Sequence, residues 1–323
     1  MNDDYLWDRS GPPDPEIERL ERTLAPLRYR HRADLLVPAR SAPRRWQAVA
    51  AAAALLVAAV ALELRTPPAP AIAWQVDSVQ GQASLGDRQA AVSMSLQAGQ
   101  TVRTGAGTEM TLRADEFGTI QVGPDSELRA ATNRQVMLQR GVLEAFIWAP
   151  PREFVVETPS ARAVDLGCRY TIHVDANGDG LLSVSLGWVA FQFGDHEAFI
   201  PAGASCVTRK RQGPGIPFYD DASGALRRSL TAFEQGDTSA LGEILAAARS
   251  ADGITLWHLL TRVPEADRGR VFDRFAELVP LPKEVRREDV LRREPHAIDL
   301  CWDALNLENT EWWRGWKRRW SSS

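Results

Sequence analysis

Cysteine is scarce in this 323-residue chain: Cys168, Cys206 and Cys301 are the only three, and no two of them form a CxxC pair. Structural zinc sites usually draw on closely spaced pairs, so the spacing argues against one. A basic excess is also missing. The 38 Lys and Arg stand against 42 Asp and Glu, a formal net charge of −4. A chain that grips DNA or RNA normally shows a basic surplus on one face, so no direct nucleic-acid partner is expected. Catalytic signatures are missing too: no Ser, His and Asp fall in an elbow motif, no nucleophile stands beside a base, and no carboxylate pair can be singled out. Neither an enzyme nor a cofactor is expected.

The stretch DANGDG, residues 175–180, comes nearest to a metal motif and lacks its closing part. A calcium loop of the EF-hand type needs a bidentate Glu at position 12. Position 12 is Leu186, with no carboxylate between Leu181 and Leu186. The flanks RYTIHVD and LLSVSLGWVAF alternate as strands do, and Asn-Gly and Asp-Gly suit a tight connection. A hairpin turn is expected there, and no metal.

One long apolar run is present. From Ala48 to Leu62 no residue is polar, and Trp46 and Leu64 extend the segment to 46–64. A hydrocarbon core of ~30 Å needs about 20 helical residues, so one transmembrane helix is expected. Arg28, Arg30, Arg32, Arg40, Arg44 and Arg45 precede it, against Arg65 alone just after it. The positive-inside rule places the N-terminus in the cytoplasm. Ala71-Ile72-Ala73 resembles a signal-peptide cleavage site, but more than forty residues precede the apolar run, where signal peptides have a short positive start. The TPPAPA stretch makes 65–73 a stiff linker.

The chain is thus read as multi-domain. Residues 1–45 hold a short cytoplasmic helix, with Asp14 as N-cap, Pro15 at the first position and Ile17, Leu20, Leu24 and Leu27 in one stripe. A lone stripe has no core of its own and is expected to pack on a partner. Residues 74–221 read as all-β, a sandwich or solenoid of short alternating runs punctuated by glycine. Residues 222–323 read as all-α. Within them ITLWHLLTRV is apolar almost all round and so central, His258 is a core or groove histidine rather than a ligand, and Cys301 lies in a buried helix beside Trp302.

Six pieces of the β region carry a family resemblance: Val79-Gln80-Gly81, LQAGQTVRTG, VMLQRGVLEAF, FVVETPSARAVDLGCRYTI, VSLGWVAF and IPAGA. In that order they resemble the FecR periplasmic domain. The resemblance implies a single-pass protein of the bacterial inner membrane. Its small cytoplasmic helical segment would bind an extracytoplasmic-function sigma factor, and its periplasmic β domain would receive a signal, in the founding cases from an outer-membrane transporter. DYLWD and DPEIERLERTLAPLR are similar to the first helices of anti-sigma domains, without the His and two Cys of the zinc-binding version. Cys168 stands where the family's L-G-T-x-F motif has Thr. The family fold, in an oxidising periplasm, implies a candidate disulfide from Cys168 to Cys206.

The end of the chain, EWWRGWKRRWSSS, sets Trp312, Trp316 and Trp320 at helical spacing with Arg314, Lys317 and Arg318 beside them. Two readings stay open: a helix lying at the membrane interface, or a terminal helix docked on its own domain. For the whole chain the expected function is sigma-factor regulation from the membrane. The alternative is an anchored envelope-binding or structural protein with no sigma-factor role.

Overall fold

The computed structural model describes residues 15–25, 74–194 and 196–307. The chain divides into two compact units, Met1–Ala69 and Pro70–Ser323. The apolar run 46–64 and the linker 65–73 lie outside the described residues, and no described helix is long and apolar enough to cross a membrane.

In the first unit, helix α1 (Pro15–Leu24) opens on proline and carries Glu16 and Glu18 in its first turn and Arg22 in its last. Those charges complement the helix dipole, and Pro15 gives up an N–H that would have no partner there anyway.

The described residues of the second unit begin with eighteen strands: β1 (Trp74–Gln80), β2 (Ala83–Leu85), β3 (Arg88–Gln89), β4 (Ser95–Leu96), β5 (Thr101–Thr104), β6 (Glu109–Ala114), β7 (Gly118–Val122), β8 (Glu127–Ala130), β9 (Gln135–Ile147), β10 (Val155–Glu157), β11 (Arg162–Asp165), β12 (Arg169–Val174), β13 (Gly180–Leu186), β14 (Trp188–Phe193), β15 (His196–Pro201), β16 (Ala204–Arg209), β17 (Gly213–Pro214) and β18 (Phe218–Tyr219). They form two ladders. One runs β4-β1-β6-β7-β9-β12-β13-β16, with β17 and β18 both on β16. The other runs β3-β2-β5-β8-β9-β10-β11-β14-β15. Every pairing is antiparallel except β9 with β10. Period-2 alternation, as in Glu109–Ala114, turns one side of each ladder inward. Met110, Leu112 and Ile120 from one ladder share a core with Val102, Leu128 and Phe191 from the other. The result is a sandwich.

Strand β9 belongs to both sheets. Its first half pairs with β8 and β10, and from Gly141 onward it pairs with β7 and β12. Two local features turn it. Glu127 faces Arg140 and Leu128 faces Leu138, so Gln139 is the extra residue of a bulge. Gly141 then has φ +96°, and a Cβ there would sit 2.1 Å from Ser126 Oγ. Only glycine meets both conditions.

The stretch 175–180 is the hairpin turn its sequence suggested, joining β12 to β13. Asp175 Oδ1 accepts the backbone N–H groups of Asn177 (2.8 Å) and Asp179 (3.0 Å), so this carboxylate closes the loop.

Six α-helices follow among the described residues: α2 (Gly224–Glu234), α3 (Leu241–Ala247), α4 (Gly253–Arg262), α5 (Glu265–Leu278), α6 (Arg287–Leu291) and α7 (Pro295–Asp303). Helix α4 is the centre, with every residue from Gly253 to Leu260 buried. The helices form one body with the sandwich. Val155, Val164, Trp188, Ala190 and Phe199, on the outer side of the second sheet, share a core with Trp257, Phe275, Ile298 and Trp302 of the helices. Trp302 stacks at 5.7 Å on Trp188 and 5.8 Å on Phe199.

Candidate functional site

Three groups of side chains stand out. The first is the apolar face of α1. Leu20 and Leu24 lie one turn apart and are 57% and 54% exposed. Exposing a leucine pair on a three-turn helix costs apolar burial of ~25 cal/mol per Å² that a partner would recover. Leu27 and the side chain of Ile17 fall outside the described residues.

The second group sits in the AVDLGCRY stretch. Asp165 ends β11 inside the protein, 1% exposed. Its Oδ1 accepts Gly167 N–H at 2.7 Å, and its Oδ2 accepts the Cys168 thiol at 2.7 Å. Burial pushes its carboxyl up to about 7, against the pull of those two hydrogen bonds. Burial and the neighbouring Asp165 also push the Cys168 thiol well up. Tyr170, fully buried two residues on, has a hydroxyl with no hydrogen-bond partner among the described residues. A high-pKa thiol is a poor nucleophile, so Cys168 serves here as a buried hydrogen-bond donor to Asp165.

The third group joins the sandwich to the helices. His258 Nε2 accepts Phe199 N–H at 3.0 Å, and Nδ1 lies 2.9 Å from the Ile254 carbonyl. Arg262 donates to the carbonyls of Pro214 (2.7 Å) and Glu197 (2.9 Å), and Thr255 Oγ1 donates to that of Pro217 at 2.8 Å. Glu234, at the end of α2, accepts Ile216 N–H at 2.5 Å and pairs with Arg209 at 3.2 Å. Burial raises the Glu234 carboxyl, and the two arginines Arg209 and Arg262 pull it back. Burial, then the Arg262 charge, drives His258 down to about 3. These residues lock two layers together, and His258 is a core histidine with both ring nitrogens engaged.

The disulfide expected between Cys168 and Cys206 does not form in this structure; both are free and buried, as is Cys301. The register explains it. Cys206 faces Leu182 on β13, and Leu182 faces Ile172 on β12, so two strand spacings and four residues of β12 separate the thiols. At ~4.8 Å per spacing and ~3.3 Å per residue, that exceeds the ~7 Å Cα limit for a bridge. The tail residues Trp312, Trp316 and Trp320 lie outside the described residues. No group of His, Cys, Asp and Glu among the described residues has metal-binding geometry.

The buried Asp165 and the half-buried Glu234 and Arg262 were not singled out from the sequence. A signal existed for Asp165, a lone acid within an apolar strand end. Glu234 and Arg262 are each the last residue of a helix, where a charge normally reads as solvated.

Comparison with known proteins bears on the sandwich. The family model described as FecR protein matches residues 100–189. That span runs from the start of β5 into β14 and includes the β9 crossing and the Asp165 cluster. The chain carries a FecR domain, as the resemblance implied. Two crystal structures of a candidate anti-sigma factor from Parabacteroides distasonis ATCC 8503, at 1.65 Å and 2.50 Å resolution, are similar at 15% identity with a TM-score of 0.34. The similarity covers 42% and 46% of this chain, and 65% and 73% of those chains. No curated protein sequence matches.

Proposed function

We propose that this FecR-domain protein is a membrane-anchored regulator of an extracytoplasmic-function sigma factor. The match of residues 100–189 to the FecR model is the observation that supports it most. The sandwich would lie in the periplasm, the apolar run 46–64 would cross the inner membrane, and α1 would stand in the cytoplasm.

In this reading Leu20 and Leu24 dock on the sigma factor, with Ile17 and Leu27 continuing the stripe. The sandwich is the receiver. Its first strand is firmly held: Trp74 is 1% exposed, donates its indole N–H to the Asn133 carbonyl at 2.9 Å, and packs on Phe117 and Phe154 at 5.8 and 5.7 Å. A shift of the sandwich on engaging a periplasmic or outer-membrane protein would therefore pull directly on the linker 65–73. The pull biases how α1 is presented. Short, fixed connections transmit such a bias better than long flexible ones.

The test is retention of extracytoplasmic-function sigma factors of the same cell by the full chain in detergent. Wild type retains one of them. Leu20→Asp with Leu24→Asp loses it while the melting of the sandwich is unchanged. Failure of the wild-type chain to retain any sigma factor would remove the central step and leave an envelope-binding role.

A further inference from the structure

An open groove of about 930 Å³ lies between the end of the sandwich and the helices. Its volume is near the top of the ~300–1,000 Å³ range of small-molecule pockets. Apolar residues dominate it: Tyr219 of β18, Ile254 of α4, Leu278 to Pro280 after α5, and Leu305 and Leu307 after α7. Asp220 and Asp221, both exposed, are its two carboxylates. Asp221 is held by Arg249 at 3.0 Å and Asp220 by Ser205 Oγ at 2.6 Å, so both carboxylates are fixed in place.

The last described residues are themselves part of the groove. Leu305 presses on Gly253 so closely that a Cβ there would meet Leu305 Cδ2 at 2.7 Å. Asn306 follows in the left-handed region at φ +48°, which turns the chain as α7 ends. Leu307 is the last lining residue, and residues 308–323 continue from it. Those sixteen residues hold Trp312, Trp313, Trp316 and Trp320 together with Arg314, Lys317, Arg318 and Arg319.

We propose that residues 308–323 fold back into this groove, their indoles against Tyr219, Leu278, Val279 and Leu305 and their cations beside Asp220 and Asp221. Three observations carry it. The chain leaves from the groove's own wall, so the ring-closing entropy is small. Reach is ample, because the five residues from Leu307 to Trp312 extend up to ~17 Å at ~3.4 Å each. Charge and polarity also match, with an aromatic, basic chain meeting an apolar cleft in which Asp220 has no basic partner among the described residues, Asp221 being paired with Arg249. Docked there, the tail clamps β18 and the Gly203 turn to the end of α5.

Hydrogen exchange on the full chain in detergent tests this, comparing wild type with the Trp312→Ala, Trp316→Ala, Trp320→Ala triple variant. Cooperative thermal unfolding of the variant like that of wild type checks that the sandwich and helices stay folded. Loss of the clamp should speed exchange at Leu278–Leu281 and around Gly203 and Tyr219 by about tenfold or more, as local opening becomes easier. A synthetic peptide of residues 308–323 added to the variant should restore the protection. Unchanged exchange in the variant overturns the proposal. So does protection that appears only in anionic micelles, which would seat the tail on lipid, or only at concentrations where the chain dimerises, which would seat it in a second copy.

Discussion

His258 Nε2 accepts the backbone N–H of Phe199 at 3.0 Å. A backbone N–H can only donate, so this ring nitrogen carries no proton and the Nδ1–H is the one that donates to Ile254. One buried imidazole thus ties the central helix to the outer face of the sandwich, and only in its neutral form.

Acid should weaken that tie. His258 is lowered to about 3 in the folded chain, below the ~6.5 of an ordinary histidine. The unfolded chain therefore takes up the proton first. The contribution is complete above ~6.5 and is lost as pH falls toward the folded value, at up to ~1.4 kcal/mol per pH unit. His258→Ala should lower stability by roughly 2–4 kcal/mol near neutrality, because it leaves a cavity and an unpaired N–H. It should also flatten the acid slope. Urea midpoints at pH 4, 5, 6 and 7.5 read both effects, and a variant whose slope equals that of wild type would show that another group controls the acid loss.

Glu234 is the second tie between the layers. Its carboxylate satisfies Ile216 N–H and Arg209 in a half-closed setting where the two side chains are 13% and 20% exposed. Glu234→Ala strands both partners and leaves the Arg262 guanidinium without a nearby anion, at a cost of roughly 2–4 kcal/mol. Glu234→Gln keeps the Ile216 bond and should cost about half as much. Exchange of the Ile216 amide should rise in the order wild type, Gln, Ala.

Gly141 governs the sheet crossing. Gly141→Ala adds a Cβ 2.1 Å from Ser126 Oγ and 2.4 Å from Ser126 Cα at φ +96°, so the backbone must move. Destabilisation of ~3 kcal/mol or more is expected. Pairing it with Ser126→Gly relieves the side-chain part of the clash and not the backbone part, so the double variant should recover only a portion. Full recovery would mean that φ at Gly141 carries no strain of its own.

Much of this fold was readable in advance, and the exceptions are informative. Strands such as Glu109–Ala114 announce themselves because one face meets the core and the other meets water. Glycine was read as punctuation between short runs, and Gly141 falls inside VMLQRGVLEAF. That stretch is one strand, because the glycine bends β9 from sheet to sheet instead of reversing it. The docking of the helices was also visible in principle. β14 and β15 are buried at four successive positions, Trp188–Phe191 and Ala198–Pro201, and such unbroken apolar runs mark strands covered on both faces. Helix α1 was legible from Pro15 and the spacing of Leu20 and Leu24. The groove was not, since its lining comes from segments far apart in sequence that only the docking of helices on the sandwich brings together.

The thiols offer a direct check on the register. Burial raises Cys301 to about 12 and lifts Cys168 and Cys206 as well, so little thiolate exists near neutrality and solvent cannot reach it. Ellman's reagent should find almost no thiol in the folded chain and three in guanidinium. One thiol in guanidinium without reductant would mean that two of the three cysteines bridge, and a peptide map placing that bridge between Cys168 and Cys206 would require a different strand register.

Asp165 should make the sandwich sensitive to alkali, in the sense opposite to His258. Its folded value of about 7 lies above the ~3.9 of a free aspartate. The folded chain therefore holds the proton more tightly, and the stability contributed by the neutral carboxyl is complete below ~4 and lost as pH rises through 7. Asp165→Asn keeps an acceptor for Gly167 N–H and has no proton to lose. At pH 4 the two proteins should be similar, with the variant slightly weaker because the amide NH2 replaces the oxygen that accepts the Cys168 thiol. Toward pH 8 wild type should fall relative to the variant by on the order of 2–4 kcal/mol, which is the linkage integral over that interval. His258 is present in both chains, so its opposing slope cancels in the difference. Parallel stability curves from pH 4 to pH 8 would show that Asp165 is ionised throughout and that its burial is relieved by something other than a proton.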